Sequence, residues 1–218
     1  FFNSKESKGL NITLPFKYHA SKLSGIISTE ASTISAVNTI NKTNNKIELS
    51  TTDGVGFIED LKYKNISIRN KEILIIGAGA ASESILYKII SEQPKKILIA
   101  NRTKSKAQNL IIKYKKLFEN IQPYSPGASS TPDLIINGSS AGLTGKFSPI
   151  DINTSETSAY YDLNYSLETT PFCEWALQNS PKVFDGIGML LNQAAYSFDT
   201  WFGVKPETES VLEDIRAL

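Results

Sequence analysis

The stretch Glu72-Ile-Leu-Ile-Ile-Gly-Ala-Gly-Ala-Ala-Ser82 decides the fold. Glu72 to Ile76 is a nearly continuous apolar run, as a strand shows when both of its faces are buried in a parallel sheet. Gly77 and Gly79 follow, and then Ile85, Leu86, Ile89 and Ile90 fall at helical spacing. The alternation continues downstream. Pro94 ends the helix, Lys96 to Ala100 is a second apolar strand, and Ala107, Leu110, Ile111, Tyr114 and Leu117 mark a lysine-rich amphipathic helix. Past a loop with Pro123, Pro126, Gly127 and Pro132, Leu134 to Ile136 and Ala159 to Leu163 supply further short strands. Strand, helix, strand, helix, strand predicts an α/β fold with a Rossmann-like doubly wound sheet.

Upstream the rhythm changes. Gly9 to Leu14 alternates around Leu10, Ile12 and Leu14 and stops at Pro15, as a strand would. Ala36 to Ile40 and Lys46 to Ser50 read as two more strands joined through the polar turn Asn41 to Asn45. From Asp53 to Tyr63, Val55, Phe57, Ile58 and Leu61 suit a short helix. At the far end Gly188 to Phe202 is long, apolar and helical in period (Met189, Leu190, Ala194, Ser197, Phe198, Trp201), and Glu207 to Leu218 suits a surface helix. About 55 residues are too few to fold alone, so the C-terminal helices are expected to pack back on the first segment.

Composition narrows the function. The 218 residues are 40% hydrophobic and 21% charged, with net charge +1, which excludes a global field that would attract nucleic acid or an anionic membrane. Cys173 is the only cysteine, so no internal disulfide is possible, and a reducing compartment fits. Apolar runs such as Ile73 to Ile76 are far shorter than the ~18 residues of a membrane span. The opening FFNSKESKG lacks the apolar core of a signal peptide, so a cytoplasmic enzyme or small-ligand binder is expected. No Cys/His cluster has metal-ligand spacing, and no metal is expected. The lone His19 reads as a surface residue. Cys173 lies at a helix start, where a lowered pKa is conceivable, but a packed, inert thiol is the plainer reading.

Two constellations carry chemistry. Gly77-x-Gly79-x-x-Ser82 between strand and helix is a dinucleotide fingerprint with a variant third position, although a glycine-rich turn occurs in other α/β proteins too. An NAD site would place an acid at the end of the next strand, to hold the ribose hydroxyl. Here that strand ends in Asn101-Arg102-Thr103, with Lys106 one turn on, a set suited to the 2′-phosphate of NADP. The second constellation is Asn11-Ile-Thr-Leu-Pro-Phe-Lys17 with Asp53, which would open a helix whose positive end favours a carboxylate. Read alone, these are a surface lysine and a helix-opening aspartate. Meeting in a cleft, they could move a proton to or from an alcohol.

Taken together the segments resemble the shikimate dehydrogenase family over essentially the whole chain. The resemblance is carried by GLNITLPFK (Gly9–Lys17), AVNTI (Ala36–Ile40), TTDGVGF (Thr51–Phe57), ILIIGAGAAS (Ile73–Ser82), NRTKSKA (Asn101–Ala107), LIINGSSAGL (Leu134–Leu143), YDLNYSLETTPF (Tyr161–Phe172) and DGIGMLLNQAAYSFDTWFGVKP (Asp185–Pro206). It implies NADP-dependent interconversion of 3-dehydroshikimate and shikimate in the aromatic amino-acid (chorismate) pathway. It also implies a substrate and catalytic domain at 1–57, an NADP-binding domain at 58–185, and C-terminal helices at 186–218 packing back on the first.

Lys17 and Asp53 match the catalytic pair, and Asn11, Thr13, Asn38, Tyr165 and Gln193 match substrate-binding positions. Gly77, Gly79, Ala80 and Ala81 match the pyrophosphate loop. Asn101, Arg102, Thr103 and Lys106 match the 2′-phosphate and adenine pocket, and Gly186 and Met189 the nicotinamide wall. The alternatives are a quinate/shikimate dehydrogenase using NAD, or a truncated paralogue that binds ligand without turnover. The family includes monomers and homodimers.

The departures are specific. Thr51 stands where the family has Asn, Ser35 and Ala80 where it has glycine, and Glu83 where a basic residue is common. Ala80 and Glu83 would put a methyl and a negative charge near the phosphates and weaken cofactor binding. Family members also carry roughly 60 residues, about two βα units, before the first quoted segment, including a Ser-x-Ser pair for the substrate carboxylate. The chain starts at Phe1 and is expected to be a piece of a longer enzyme.

Overall fold

The computed structural model describes residue 4 and residues 6–44, 46–127, 131–141, 147 and 151–217. Gly142 and Leu143, the end of one quoted segment, lie outside the described residues. In the N-terminal part, β1 (Gly9–Asn11), α1 (Lys17–Ala20), β2 (Ile26–Ile27), α2 (Thr29–Ile34), β3 (Thr39–Thr43) and β4 (Lys46–Ser50) build a four-stranded sheet of order β1-β3-β4-β2. β1, β3 and β4 pair antiparallel, and β2 lies parallel to β4. Ala31, Val37, Ile40 and Leu49 are buried at its centre, with Leu10, Ile12, Ile27 and Ile47 packed around them.

Two strand boundaries differ from expectation. β1 stops at Asn11, because its partner β3 begins opposite, at Thr39. The chain then turns, with the N–H of Ile12 donating to Asn38 O and that of Phe16 to Thr13 O. β3 is displaced the other way and runs through Asn41 to Thr43, leaving Asn44, at φ 57°, as a described turn residue.

The cofactor-like part follows the sequence more closely. After α3 (Asp53–Tyr63) come β5 (Glu72–Ile76), α4 (Ala80–Ser91), β6 (Lys96–Ala100), α5 (Lys104–Tyr114), β7 (Ile121–Pro123), β8 (Leu134–Asn137), β9 (Ala159–Asp162), α6 (Pro171–Leu177) and β10 (Val183–Phe184). The six strands are all parallel, in the order β10-β9-β8-β5-β6-β7. This is the Rossmann-like doubly wound sheet, with its switch point between β5 and β8. Period-two alternation buries both faces. Ile73, Ile75, Ile97, Ile99, Leu134 and Ile136 pack under α3, α4 and α5, and Leu74, Leu98, Ile135 and Tyr160 pack under α6. Phe147, Phe172, Tyr160 and Trp175 form a ring cluster on that second face.

Finally α7 (Ile187–Phe202) runs along α3 and reaches the first sheet, where Trp201 Nε1 donates to Ile40 O at 3.0 Å. α8 (Glu209–Arg216) lies beside it, and Arg216 pairs with Asp185 at 2.9 Å. Among the described residues, no helix is long and apolar enough to cross a membrane.

Candidate active site

Two helix starts build the centre of the site. Lys17 is the first residue of α1 and Asp53 the first of α3, 36 positions apart in sequence, yet Lys17 Nζ lies 2.7 Å from Asp53 Oδ2. The Asp53 side chain is 6% exposed and that of Lys17 22%, so the pair is mostly buried, with the lysine the more exposed partner. Asp53 Oδ1 accepts from Asn38 Nδ2 at 2.9 Å. That amide also lies 3.1 Å from Gln193 Oε1 and 3.0 Å from Thr52 Oγ1, while Asn38 Oδ1 takes the Thr52 N–H at 2.8 Å. Asn38 therefore joins the start of α3 to α7, and four of the residues expected to act together do meet.

Asn11 joins by another route. Its Nδ2 donates to Ser197 Oγ at 2.8 Å, and Ser197 lies 2.7 Å from Thr39 Oγ1 and 3.2 Å from Thr52 Oγ1. The spacing puts Ser197 on the apolar face of its helix, but that face here meets a buried ring of hydroxyls. Thr39, Thr52 and Ser197 are the polar residues that sequence reasoning missed as members of the site. Their signal was a small hydroxyl residue at a core position within the segments that carry the resemblance. Thr13 is exposed at the turn after β1, and Tyr165, 54% exposed, stands on the loop after β9. No hydrogen bond joins either side chain to the Lys17–Asp53 group among the described residues.

A further carboxylate lies behind α3. Glu30 of α2 is 3.5 Å from Lys88 of α4, and a Cβ on Gly54 would come within 2.7 Å of Glu30 Oε1. Burial pushes the Glu30 pKa up, the nearby Asp53 charge adds to this, and Lys88 opposes it without cancelling it.

At the switch point the two glycine turns touch. Gly77 has φ +107°, and a Cβ there would lie 2.8 Å from the backbone of Gly138 and Ser139, so only glycine serves. Gly79 caps α4, and a Cβ on it would meet open space. Ala80 and Ala81 are exposed in the first turn of α4, where helix N–H groups have no partner within the helix. A pyrophosphate fits this opening. Asn101 braces it, since Oδ1 accepts the Ala78 N–H at 3.1 Å and Nδ2 donates to Thr103 O at 2.9 Å. Arg102, Thr103 and Lys106 are exposed around the start of α5, and among the described residues neither cation has an ion-pair partner. The donor set suits a phosphate monoester.

Glu83 adds no free charge here. Its carboxylate takes Lys113 Nζ at 2.5 Å and the Tyr114 hydroxyl at 3.4 Å. The expected repulsion of the phosphates is therefore largely neutralised by a lysine on the next helix. Gly186 caps α7 and donates its N–H to Asn164 O at 3.0 Å, and Met189 packs partly buried against the main core. His19 is exposed, its ring against Phe16 and Tyr18. Burial pushes the Cys173 thiol up to about 11, so the helix start does not activate it. No group of His, Cys, Asp or Glu among the described residues could hold a metal.

Comparison with known proteins covers the same segments. Three family descriptions match: the shikimate dehydrogenase substrate binding domain over residues 1–40, shikimate / quinate 5-dehydrogenase over 60–138, and the shikimate 5′-dehydrogenase C-terminal domain over 186–216. Shikimate dehydrogenase (NADP(+)) of Hydrogenovibrio crunogenus is 40% identical over 97% of this chain and 78% of its own length. The enzyme of the same name from Vesicomyosocius okutanii is 39% identical over 99% of this chain and 81% of its own. Among solved structures, shikimate 5-dehydrogenase from Thermus thermophilus in complex with NADP(H) and shikimate superposes with a TM-score of 0.86 at 28% identity, over 98% of this chain and 80% of that one. Shikimate dehydrogenase from Aquifex aeolicus gives a TM-score of 0.84 at 29% identity, over 99% and 79%.

Proposed function

Because the chain belongs to the shikimate dehydrogenase family, we propose that it catalyses the NADP-dependent, reversible reduction of 3-dehydroshikimate to shikimate. The observation that carries the reading is the 2.7 Å Lys17–Asp53 pair at the edge of a polar cluster that also holds Asn11, Asn38 and Gln193. When bound, the nicotinamide supplies or accepts the hydride. The protein's own task is the proton. In the reducing direction Lys17 holds one at Nζ and gives it to the substrate oxygen as negative charge develops there. Asp53 accepts from the ammonium, fixes its direction and is itself held by Asn38. In oxidation the proton returns to Nζ.

Asn11, Asn38, Gln193, Thr13 and Tyr165 offer the amide and hydroxyl groups that would hold the hydroxyls and carboxylate of a small cyclic acid. Arg102, Thr103 and Lys106 favour NADP over NAD, since they place cations and a hydroxyl where an NAD site carries an acid. Gly77, Gly79, Ala80 and Ala81 cradle the pyrophosphate, with Asn101 behind them, and Gly186 and Met189 lie on the nicotinamide side. Residues 1–57 thus serve the substrate, 58–185 the cofactor, and 186–218 complete the substrate side through α7. The same reading sets the enzyme in the cytoplasm as a monomer or homodimer. β1 and β2 each keep one unpaired edge among the described residues, which a second chain could extend.

The test is NADPH formation from shikimate and NADP⁺ by this chain and by its Lys17→Ala variant. Loss of general acid–base catalysis should cost roughly 10²–10⁴-fold in kcat with NADP⁺ affinity unchanged. Turnover that survives the substitution would overturn the role of Lys17.

A further inference from the structure

One buried carboxylate has no part in the chemistry above. Asp162 ends β9 and is 1% exposed, at the carboxyl end of the sheet where a doubly wound fold binds its ligand. Four neutral donors converge on it. Asn137 Nδ2 (2.9 Å), the Asn164 N–H (3.1 Å) and Asn164 Nδ2 (2.9 Å) bond to Oδ1, and Thr170 Oγ1 (2.6 Å) bonds to Oδ2. Among the described residues no ion pair reaches it. Burial pushes its pKa up against the pull of these bonds. A group so costly to bury needs a reason at this place.

Its partners suggest one. Asn137 ends β8 and, through Oδ1, holds Ser139 N (3.1 Å) and Ser139 Oγ (2.7 Å) in the turn that touches Gly77. Asn164 Nδ2 also donates to Ser139 O at 3.1 Å, and Asn164 O takes the N–H of Gly186, the cap of α7. Asp162 therefore ties the turn after β8, the loop after β9 and the start of α7 into one unit.

The topology says which part of a dinucleotide lies there. The sheet has two mononucleotide-binding halves meeting at the switch point. Arg102, Thr103 and Lys106 mark the β5-β6-β7 half for the phosphorylated adenosine. The other mononucleotide then lies over β8, β9 and β10, against the loops that Asp162 joins. Resting on the NADP reading above, we propose that Asp162 is a positioning residue, which holds these three segments so that the nicotinamide half of the cofactor is bound in a single orientation. It touches neither substrate nor cofactor. Asparagine in its place removes the charge that strengthens the four bonds, and its N–H₂ is met only if the Thr170 hydroxyl turns round to accept, so the tie between the loops weakens.

The test compares two ligands by calorimetry on this chain and on Asp162→Asn. Adenosine 2′,5′-bisphosphate carries the phosphorylated adenosine but no nicotinamide, and NADP⁺ carries both. The variant should bind the bisphosphate as the parent does and NADP⁺ roughly five- to tenfold more weakly. Its kcat should fall by up to about 10²-fold, as expected for a misplaced reacting group. Asn164→Ala, a milder change on a partly exposed residue, should shift NADP⁺ affinity in the same direction by a smaller factor, even if the first variant fails to fold. Equal weakening of both ligands, or of neither, in these variants would overturn the proposal. A parent chain that binds the bisphosphate but shows no shikimate turnover would count against the proposed reaction alone. A parent that binds neither ligand would sink both readings.

Discussion

Ser35 shows how one backbone angle explains a sequence departure. It sits at φ 61°, ψ 38° as the C-terminal cap of α2, with its N–H turned back to Ala31 O and Ser32 O. This is the left-handed conformation that costs an L-residue roughly 1–2 kcal/mol and that glycine adopts freely. Resemblance alone shows only that glycine is usual here; the angle shows why. Glycine's greater freedom in the unfolded chain offsets part of the gain. Ser35→Gly should therefore stabilise the protein by about 0.5–1 kcal/mol, a rise of about 1–4 °C in Tm by scanning calorimetry. An unchanged or lower Tm would show that the serine is not strained. The same scale corrects the reading of Glu83, since a charge counted from sequence as free is bound to Lys113.

At the scale of elements, the site depends on how closely α3 and α7 approach. A Cβ on Gly56 would lie 2.6 Å from Gln193 N, so the two helices are in contact backbone to backbone just where Gln193 meets Asn38. Gly56→Ala must push them apart. Overpacking of this kind costs about 1–3 kcal/mol, to be read as a lower urea midpoint. Because Gln193 moves with α7, KM for shikimate should rise while NADP⁺ affinity holds. A variant with normal stability and normal KM would mean that the interface is looser than it looks.

The elements also show what local sequence can specify. Lys46–Ser50, Asp53–Tyr63, Glu72–Ile76 and Lys96–Ala100 have the bounds expected from their apolar patterns, helped in the last two by Gly77 and Pro94. α1, β2, α2, β7 and β10 have no counterpart in those expectations, and of α6 only the start near Cys173 was expected. Each is short, and its pattern is too brief to show a period; contacts from elsewhere in the chain hold it in place. β2 is two residues long, with Ile26 opposite Glu48 and Ile27 opposite Leu49 of a single partner strand.

For the whole molecule, the ties between distant segments set its response to acid. Asp133 precedes β8 and accepts from Lys71 Nζ and from the Glu72 N–H at 2.9 Å each, joining the entry of β8 to that of β5. Burial alone would raise its pKa, but these bonds overcome that and leave it lowered. A lowered native pKa means that the folded state binds protons less readily than the unfolded chain. The contribution is complete above the ordinary value of about 3.9 and is lost as pH falls through the lower native one. Asp133→Asn should thus unfold at less urea than the parent at neutral pH. The gap should narrow below about pH 4 and close further down. A gap that does not change with pH would assign the effect to packing instead of charge.

By itself the sequence determined the cofactor half. Apolar runs, glycine turns and the Asn101-Arg102-Thr103 strand end are local signals, and a parallel sheet buried on both faces can be recognised one strand at a time. It also named Lys17 and Asp53, through motifs and not through geometry. Tertiary structure alone decided that the two lie 2.7 Å apart, that Ser197 belongs to a buried hydroxyl ring, and that Asp162 gathers three loops. The physical reason is separation along the chain. A helix or strand is selected by residues a few positions apart, whereas side-chain partners 25, 36 or 155 positions away are chosen by packing, which no local pattern records.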